Sequence, residues 1–164
     1  GKTTAIQTAL QELQNQLAAT GLTRNFIRVA APTGSAAFNI RFNATTVHRL
    51  SRWLNPRFFE ELKNPEKVHE LQEHLSNTRI LLFDEVSMIG RKMMGRISSR
   101  MGQAAATENP RDELCGGFSL VCVGDPAQCQ AIFDQQIYDT DVHPDTTKTP
   151  LAQKVQLSNS GLDL

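Results

Sequence analysis

Cysteine is scarce in this chain: Cys115, Cys122 and Cys129 are the only three in 164 residues, an odd number with no C-x-x-C spacing. That excludes a disulfide framework and argues against a zinc ribbon or finger. No apolar run approaches the roughly 20 residues that a membrane-crossing helix needs. Net charge is also absent, since 17 basic and 17 acidic residues cancel, so total charge gives no sign of a nucleic-acid or acidic partner. There is no internal repeat and no low-complexity tract. What remains, 40% apolar and 21% charged residues, suits one globular core, hence one domain or part of one.

The charge is unevenly placed. Arg41, Arg49, Arg52 and Arg57 fall in a stretch without a carboxylate, and Arg91, Lys92, Arg96 and Arg100 form a second basic run. Asp134, Asp139, Asp141 and Asp145 make the tail acidic.

Ile6, Leu10, Leu13 and Leu17 repeat on one helical face, which predicts a helix over 3–19 that Gly21 ends. A short β-prone strand follows over 26–31 and stops at Pro32-Thr33-Gly34. Helices are expected from Ser35 and over 46–54. Asn64-Pro65-Glu66 supplies an N-cap, a first-turn proline and a first-turn acid for another, with Val68, Leu71 and Leu75 on its inner face. The run 79–84 reads as a strand buried on both faces and closed by two acids. Residues 88–101 read as helix, Asn109-Pro110 and Gly116-Gly117 bracket a loop, and 118–123, which contains Cys122, reads as a third buried strand. Strands alternating with helices predict a parallel α/β sheet with its ligands at the carboxyl ends of the strands.

Three sets of polar residues stand at those ends. Gly1-Lys2-Thr3 matches the back end of a phosphate-binding loop, in which lysine reaches the outer phosphates and the hydroxyl holds Mg²⁺. A solvated helix start is the plain alternative. Asp84-Glu85, adjacent carboxylates at the end of an apolar strand, suit a metal-binding acid followed by a general base; a helix N-terminus that favours acids is the other account. Gly124-Asp125-x-x-Gln128 offers an amide just beyond the third strand, or simply a turn. Thr46-Val47-His48-Arg49 groups donors able to meet phosphate oxygens. Trp53, Phe58 and Phe59 read as core residues of a packed helix, with base stacking the competing role. His69 and His74 read as surface residues.

Four blocks in order are more specific than any one of them: Gly1-Lys2-Thr3, then Ala31-Pro32-Thr33-Gly34-Ser35-Ala36-Ala37 with Thr46-Val47-His48, then Asp84-Glu85-Val86-Ser87-Met88, then Gly124-Asp125-Pro126-Ala127-Gln128. Together they resemble the Pif-one-like DNA helicases, relatives of RecD within helicase superfamily one. The resemblance implies a three-layer P-loop NTPase (RecA-like) parallel sheet over 1–164. That sheet is expected to be incomplete, lacking its first strand and part of the phosphate loop, with unpaired edges beside the acid-bearing strand. It implies ATP and Mg²⁺ as ligands. Gly1, Lys2, Thr3, Thr4 and Gln128 would bind nucleotide, Thr3 and Asp84 the metal, and Lys2, Asp84, Glu85 and Gln128 would serve hydrolysis. Pro32, Thr33, Gly34, Thr46 and His48 match the strand-contacting motifs, and Arg49 is compatible with them.

The implied activity is ATP-driven 5′ to 3′ movement on single-stranded DNA with duplex unwinding, in repair, recombination or telomere maintenance. Its expected setting is intracellular, in the nucleus or a mitochondrion. A second RecA-like domain would complete both the ATP site and the DNA grip, so this chain alone is expected to be inactive. Where the family usually continues its third block with Leu-Pro-Pro, this chain has Cys129-Gln130-Ala131. A degenerate, non-enzymatic helicase-like piece and another P-loop ATPase remain alternatives at this point.

Overall fold

The computed structural model describes residues 1–21, 24–53, 59–105, 114–132 and 134–138. Arg57, Phe58, Asn109-Pro110, Asp139, Asp141, Asp145 and the expected helix end at Leu54 lie outside them.

The elements run α1 (Lys2–Ala19), β1 (Ile27–Ala31), α2 (Gly34–Ile40), β2 (Thr45–Thr46), α3 (Val47–Leu50), α4 (Pro65–Leu75), β3 (Ile80–Phe83), α5 (Arg91–Ala104) and β4 (Ser119–Cys122). The four strands form one parallel sheet in the order β2-β1-β3-β4. Alternation along the strands sorts side chains to its two faces. Ile27, Val29, Ala31 and Leu82 pack with Ile6 and Leu10 of α1 and Ala37 and Ile40 of α2. Ala30, Leu81 and Phe83 pack on the other side with Leu71 and Leu75 of α4 and Met94, Ile97 and Met101 of α5. This is the expected three-layer α/β arrangement.

Local signals explain most boundaries. Gly21, at φ 77, follows the α1 C-cap, where a left-handed residue commonly closes a helix. The Asn64 side chain accepts from Glu66 N–H at 2.9 Å to start α4, as its N-cap signature predicts.

Four expectations are corrected. The helix expected over 46–54 is only the turn of α3, because Thr45 and Thr46 pair with Ala30 and Ala31 as β2 and Arg52, at φ 48, turns the chain after Ser51. The helix expected from Met88 begins at Arg91, since Val86–Met88 is a 3-10 turn and Ile89 is extended. The acid-bearing strand β3 has no open edge: it pairs with β1 on one side and β4 on the other. Among the described residues the open edges are β2 and β4, and for that reason Cys122 is exposed rather than buried, beside a Val121 that is 43% exposed.

Candidate nucleotide site and strand-contacting face

The first site forms where α1 begins beside the ends of β3 and β4. Gly1 caps α1 without a side-chain hydrogen bond, and the first turn holds no acid. The opening N–H groups of an α-helix have no intrahelical partner, and its dipole is positive there. Such an end, with Lys2 on it, is built to hold an anion. Thr3 is half-buried and Thr4 exposed in the same turn.

Lys2 Nζ donates to Glu85 Oε1 at 2.7 Å and lies 3.7 Å from Asp84 Oδ1. The structure therefore brings together groups more than 80 positions apart in the chain. Burial opposes the Lys2 ammonium, but the bond to Glu85 and the charges of Asp84, Glu85 and Asp125 outweigh it and hold its pKa above the ordinary value. Asp125 thus joins the site electrostatically, a role that the turn pattern Gly124-Asp125 alone did not reveal.

Asp84 is 3% exposed, and its Oδ1 is buried without a hydrogen-bond partner among the described residues. A buried carboxylate oxygen in that position is costly unless a cation faces it. Asp84, with the Thr3 hydroxyl, offers the hard oxygen donors that Mg²⁺ takes. No group of three or more His, Cys, Asp or Glu side chains placed for a metal occurs among the described residues. A cation held here would share the oxygens of a bound phosphate, the usual arrangement for Mg²⁺.

Glu85 adopts a left-handed backbone, φ 52 and ψ 41, which costs a non-glycine residue about 1–3 kcal/mol. The turn is held by Val86 N–H donating to Val123 O at 3.0 Å and Met88 N–H to Glu85 O at 2.9 Å. Gly124 makes this possible, because a Cβ there would stand 2.8 Å from Val86 Cγ1 and 3.0 Å from Val86 N. Gly124→Ala should therefore destabilise the protein by about 1–3 kcal/mol and displace the carboxylate turn. Chemical denaturation and ATP turnover, measured together, check this; an unchanged denaturation midpoint would contradict it.

Asp134, expected in an acidic tail, serves instead as a cap. Its carboxylate accepts from Lys92 N–H at 3.3 Å and Met93 N–H at 3.1 Å at the start of α5, and only a glycine at position 90 leaves it room. Gln128 sits on an exposed turn, its N–H donating to Asp125 O at 3.0 Å. Among the described residues no hydrogen bond joins its side chain to Lys2, Asp84 or Glu85.

The second site lies at the ends of β1 and β2. The pairing of Ala31 with Thr46 sets Pro32-Thr33-Gly34 beside Thr46-Val47-His48. Thr33 Oγ1 accepts from Ala36 N–H at 3.2 Å and caps α2, while Thr46 Oγ1 accepts from Arg49 N–H at 3.3 Å and caps α3. His48 is half-buried, which lowers its pKa and favours neutral imidazole. Arg49 is exposed and lines a broad cleft with Lys63 and Lys67, whereas Arg52 is paired with Glu70 at 2.5 Å. Trp53 is buried, as the core reading requires. His69 is exposed and paired with Glu73; His74 is only half-exposed, with its carbonyl accepting from Arg28.

The sequence profile of the AAA domain family matches residues 1–134. The chain belongs to that family. Within it the likeness is to Pif1 helicases. The chain is similar to Bacteroides Pif1 bound to ssDNA, with 27% identity over 82% of this chain and 28% of that one and a TM-score of 0.55. It is similar to Bacteroides Pif1 in complex with ADP-AlF3 and ssDNA, with 25% identity over 82% of this chain and 28% of that one and a TM-score of 0.57. A third likeness is to a structure of DNA unwinding at forked dsDNA by two coordinating Pif1 helicases, with 28% identity, 82% and 29% coverage and a TM-score of 0.58. This AAA-domain chain thus spans less than a third of the length of those structures. No curated protein sequence matches it. The Pif1 likeness agrees with the order of the sequence blocks and with the parallel α/β sheet of a RecA-like domain.

Proposed function

We propose that this chain is the nucleotide-hydrolysing part of an ATP-dependent DNA helicase, moving 5′ to 3′ on single-stranded DNA and separating duplex ahead of it. The observation that carries the reading is the convergence of Lys2, Asp84 and Glu85 on the N-terminus of α1, where Gly1 makes no side-chain capping bond. The ssDNA and ADP-AlF3 complexes of the similar Pif1 structures support it.

The free N–H groups of the first turn and the Lys2 ammonium bind the β- and γ-phosphates of ATP. Asp84 and Thr3 would hold Mg²⁺, which when bound neutralises charge on the phosphate oxygens. An incoming triphosphate competes with Glu85 for Lys2. Once released from that bond, the Glu85 carboxylate can orient the attacking water and accept its proton. Gln128, on the turn beyond β4, meets the γ-phosphate. Thr33, Gly34, Thr46, His48 and Arg49 hold the DNA strand through its phosphates, with Pro32 shaping the turn that presents them.

A second RecA-like domain closes the ATP site and supplies the rest of the DNA grip, so this chain alone is expected not to turn over ATP. Such a protein would act in DNA repair, recombination or telomere maintenance, in the nucleus or a mitochondrion. The test is strand displacement by the complete gene product on partial duplexes with a single 5′ or 3′ tail. ATP-dependent release from the 5′-tailed duplex is expected; release only from the 3′-tailed duplex, or from neither, sinks the proposal.

A further inference from the structure

The second basic run of the sequence is not a solvated face. Arg91 and Arg100 are 0% and 2% exposed. Arg91 donates to the Gln135 side chain, and Arg100 donates to Glu60 O at 2.6 Å and Gln103 Oε1 at 3.1 Å. Arg96 is held differently. Its Nε, like that of Arg100, is buried with no hydrogen-bond partner among the described residues, but its guanidinium carbon lies 5.2 Å from the Trp53 ring centre and 5.9 Å from that of Phe59. The nearby carboxylate of Asp134 is already accepting from the α5 backbone.

Trp53 carries the contact onward. Its ring centre is 4.8 Å from that of His48, with the planes inclined at 35°, and its backbone N–H donates to His48 O at 2.8 Å. Phe59 meets the indole edge-on at 5.4 Å, and Arg100 lies 5.1 Å from the Phe59 ring centre. A partly buried guanidinium against aromatic rings is stabilised by cation–π attraction and by planar stacking that lysine does not reproduce. The Trp53 ring is thus fixed from α5, the helix that follows the Asp84-Glu85 turn, and the half-buried His48 ring rests on it.

We propose that Arg96 and Trp53 are positioning residues for the DNA contact made by His48, so that the helix following the paired carboxylates also sets the imidazole that meets the strand. This rests on the strand-contacting reading of His48, and the test separates the two.

The complete gene product would be prepared with Arg96→Met, Arg96→Lys, Trp53→Phe, His48→Ala and the double change Arg96→Met/His48→Ala. An oligothymidylate serves as probe, by fluorescence anisotropy and as activator of ATP hydrolysis. Arg96→Met is expected to raise both the Kd and the half-activating oligonucleotide concentration by about three- to tenfold, the scale of one cation–π contact. DNA-free turnover should stay unchanged. Arg96→Lys and Trp53→Phe should fall between, and the double variant should bind no more weakly than His48→Ala alone.

If His48→Ala weakens binding but none of the Arg96 or Trp53 variants does, the inference fails and the DNA reading stands. Additive effects in the double variant also overturn it, as does a loss of DNA-free turnover in Arg96→Lys and Trp53→Phe, which would make the cluster merely structural. Unchanged binding in His48→Ala removes both the inference and the strand contact beneath it.

Discussion

Glu85→Gln should lower ATP turnover by about 10²–10⁴-fold, the range for loss of a positioned general base, while leaving nucleotide affinity equal or greater. Glu85 holds Lys2 at 2.7 Å, so its charge competes with phosphate for the same ammonium. Glutamine occupies the same space and still accepts a hydrogen bond, yet it cannot take a proton from water and presents no net charge to the incoming phosphates. The two effects therefore have opposite signs, which a general unfolding of the site would not produce. Steady-state turnover and titration with a fluorescent ATP analogue measure them separately. A parallel loss of affinity and turnover would show that Glu85 acts through structure rather than as the base.

Lys2→Ala should reduce kcat/KM for ATP by about 10²–10³-fold, comparable to removing one preorganised donor from a charged transition state. The ammonium is the one cation among the described residues bonded to Glu85 and paired with Asp84. Its loss leaves Asp84, Glu85 and Asp125 facing a polyanion without a counter-charge. Stability should fall as well, because Lys2 lies 3.7 Å from an Asp84 carboxylate that is only 4% exposed and would lose its facing cation. The folded variant should bind ATP much more weakly than the parent. Turnover within a few-fold of the parent would remove Lys2 from the site.

The framework was legible in the sequence where one local signal decided the structure. The apolar run ending in Asp84 gave β3, the Asn64-Pro65 pair gave the start of α4, and the spacing of Ile6 and Leu10 gave the buried side of α1. The convergence of Lys2, Asp84 and Glu85 was legible because they occupy strand ends and a helix start, which parallel α/β topology brings to one edge. Features set by distant partners were hidden. The two-residue β2 exists only through its pairing with β1. The α5 start depends on Asp134, 42 positions beyond Lys92. Cys122 has a core residue's neighbours in sequence, but its place on an outer strand leaves it exposed. Arg96 read only as one member of a basic run, because no local pattern announces that Trp53 and Phe59 will meet it.

The central claim is that one nucleotide site, built from Lys2, Asp84 and Glu85, is coupled to a DNA-binding face at Thr33, Thr46 and His48. ATP hydrolysis by the complete gene product, measured with and without saturating single-stranded DNA, tests this most directly. The account predicts weak turnover that rises strongly with DNA, vanishes in Lys2→Ala, and needs more DNA for half-activation in His48→Ala. Turnover indifferent to DNA would mark a different P-loop ATPase, and no turnover from a folded, complete protein would contradict the enzyme outright.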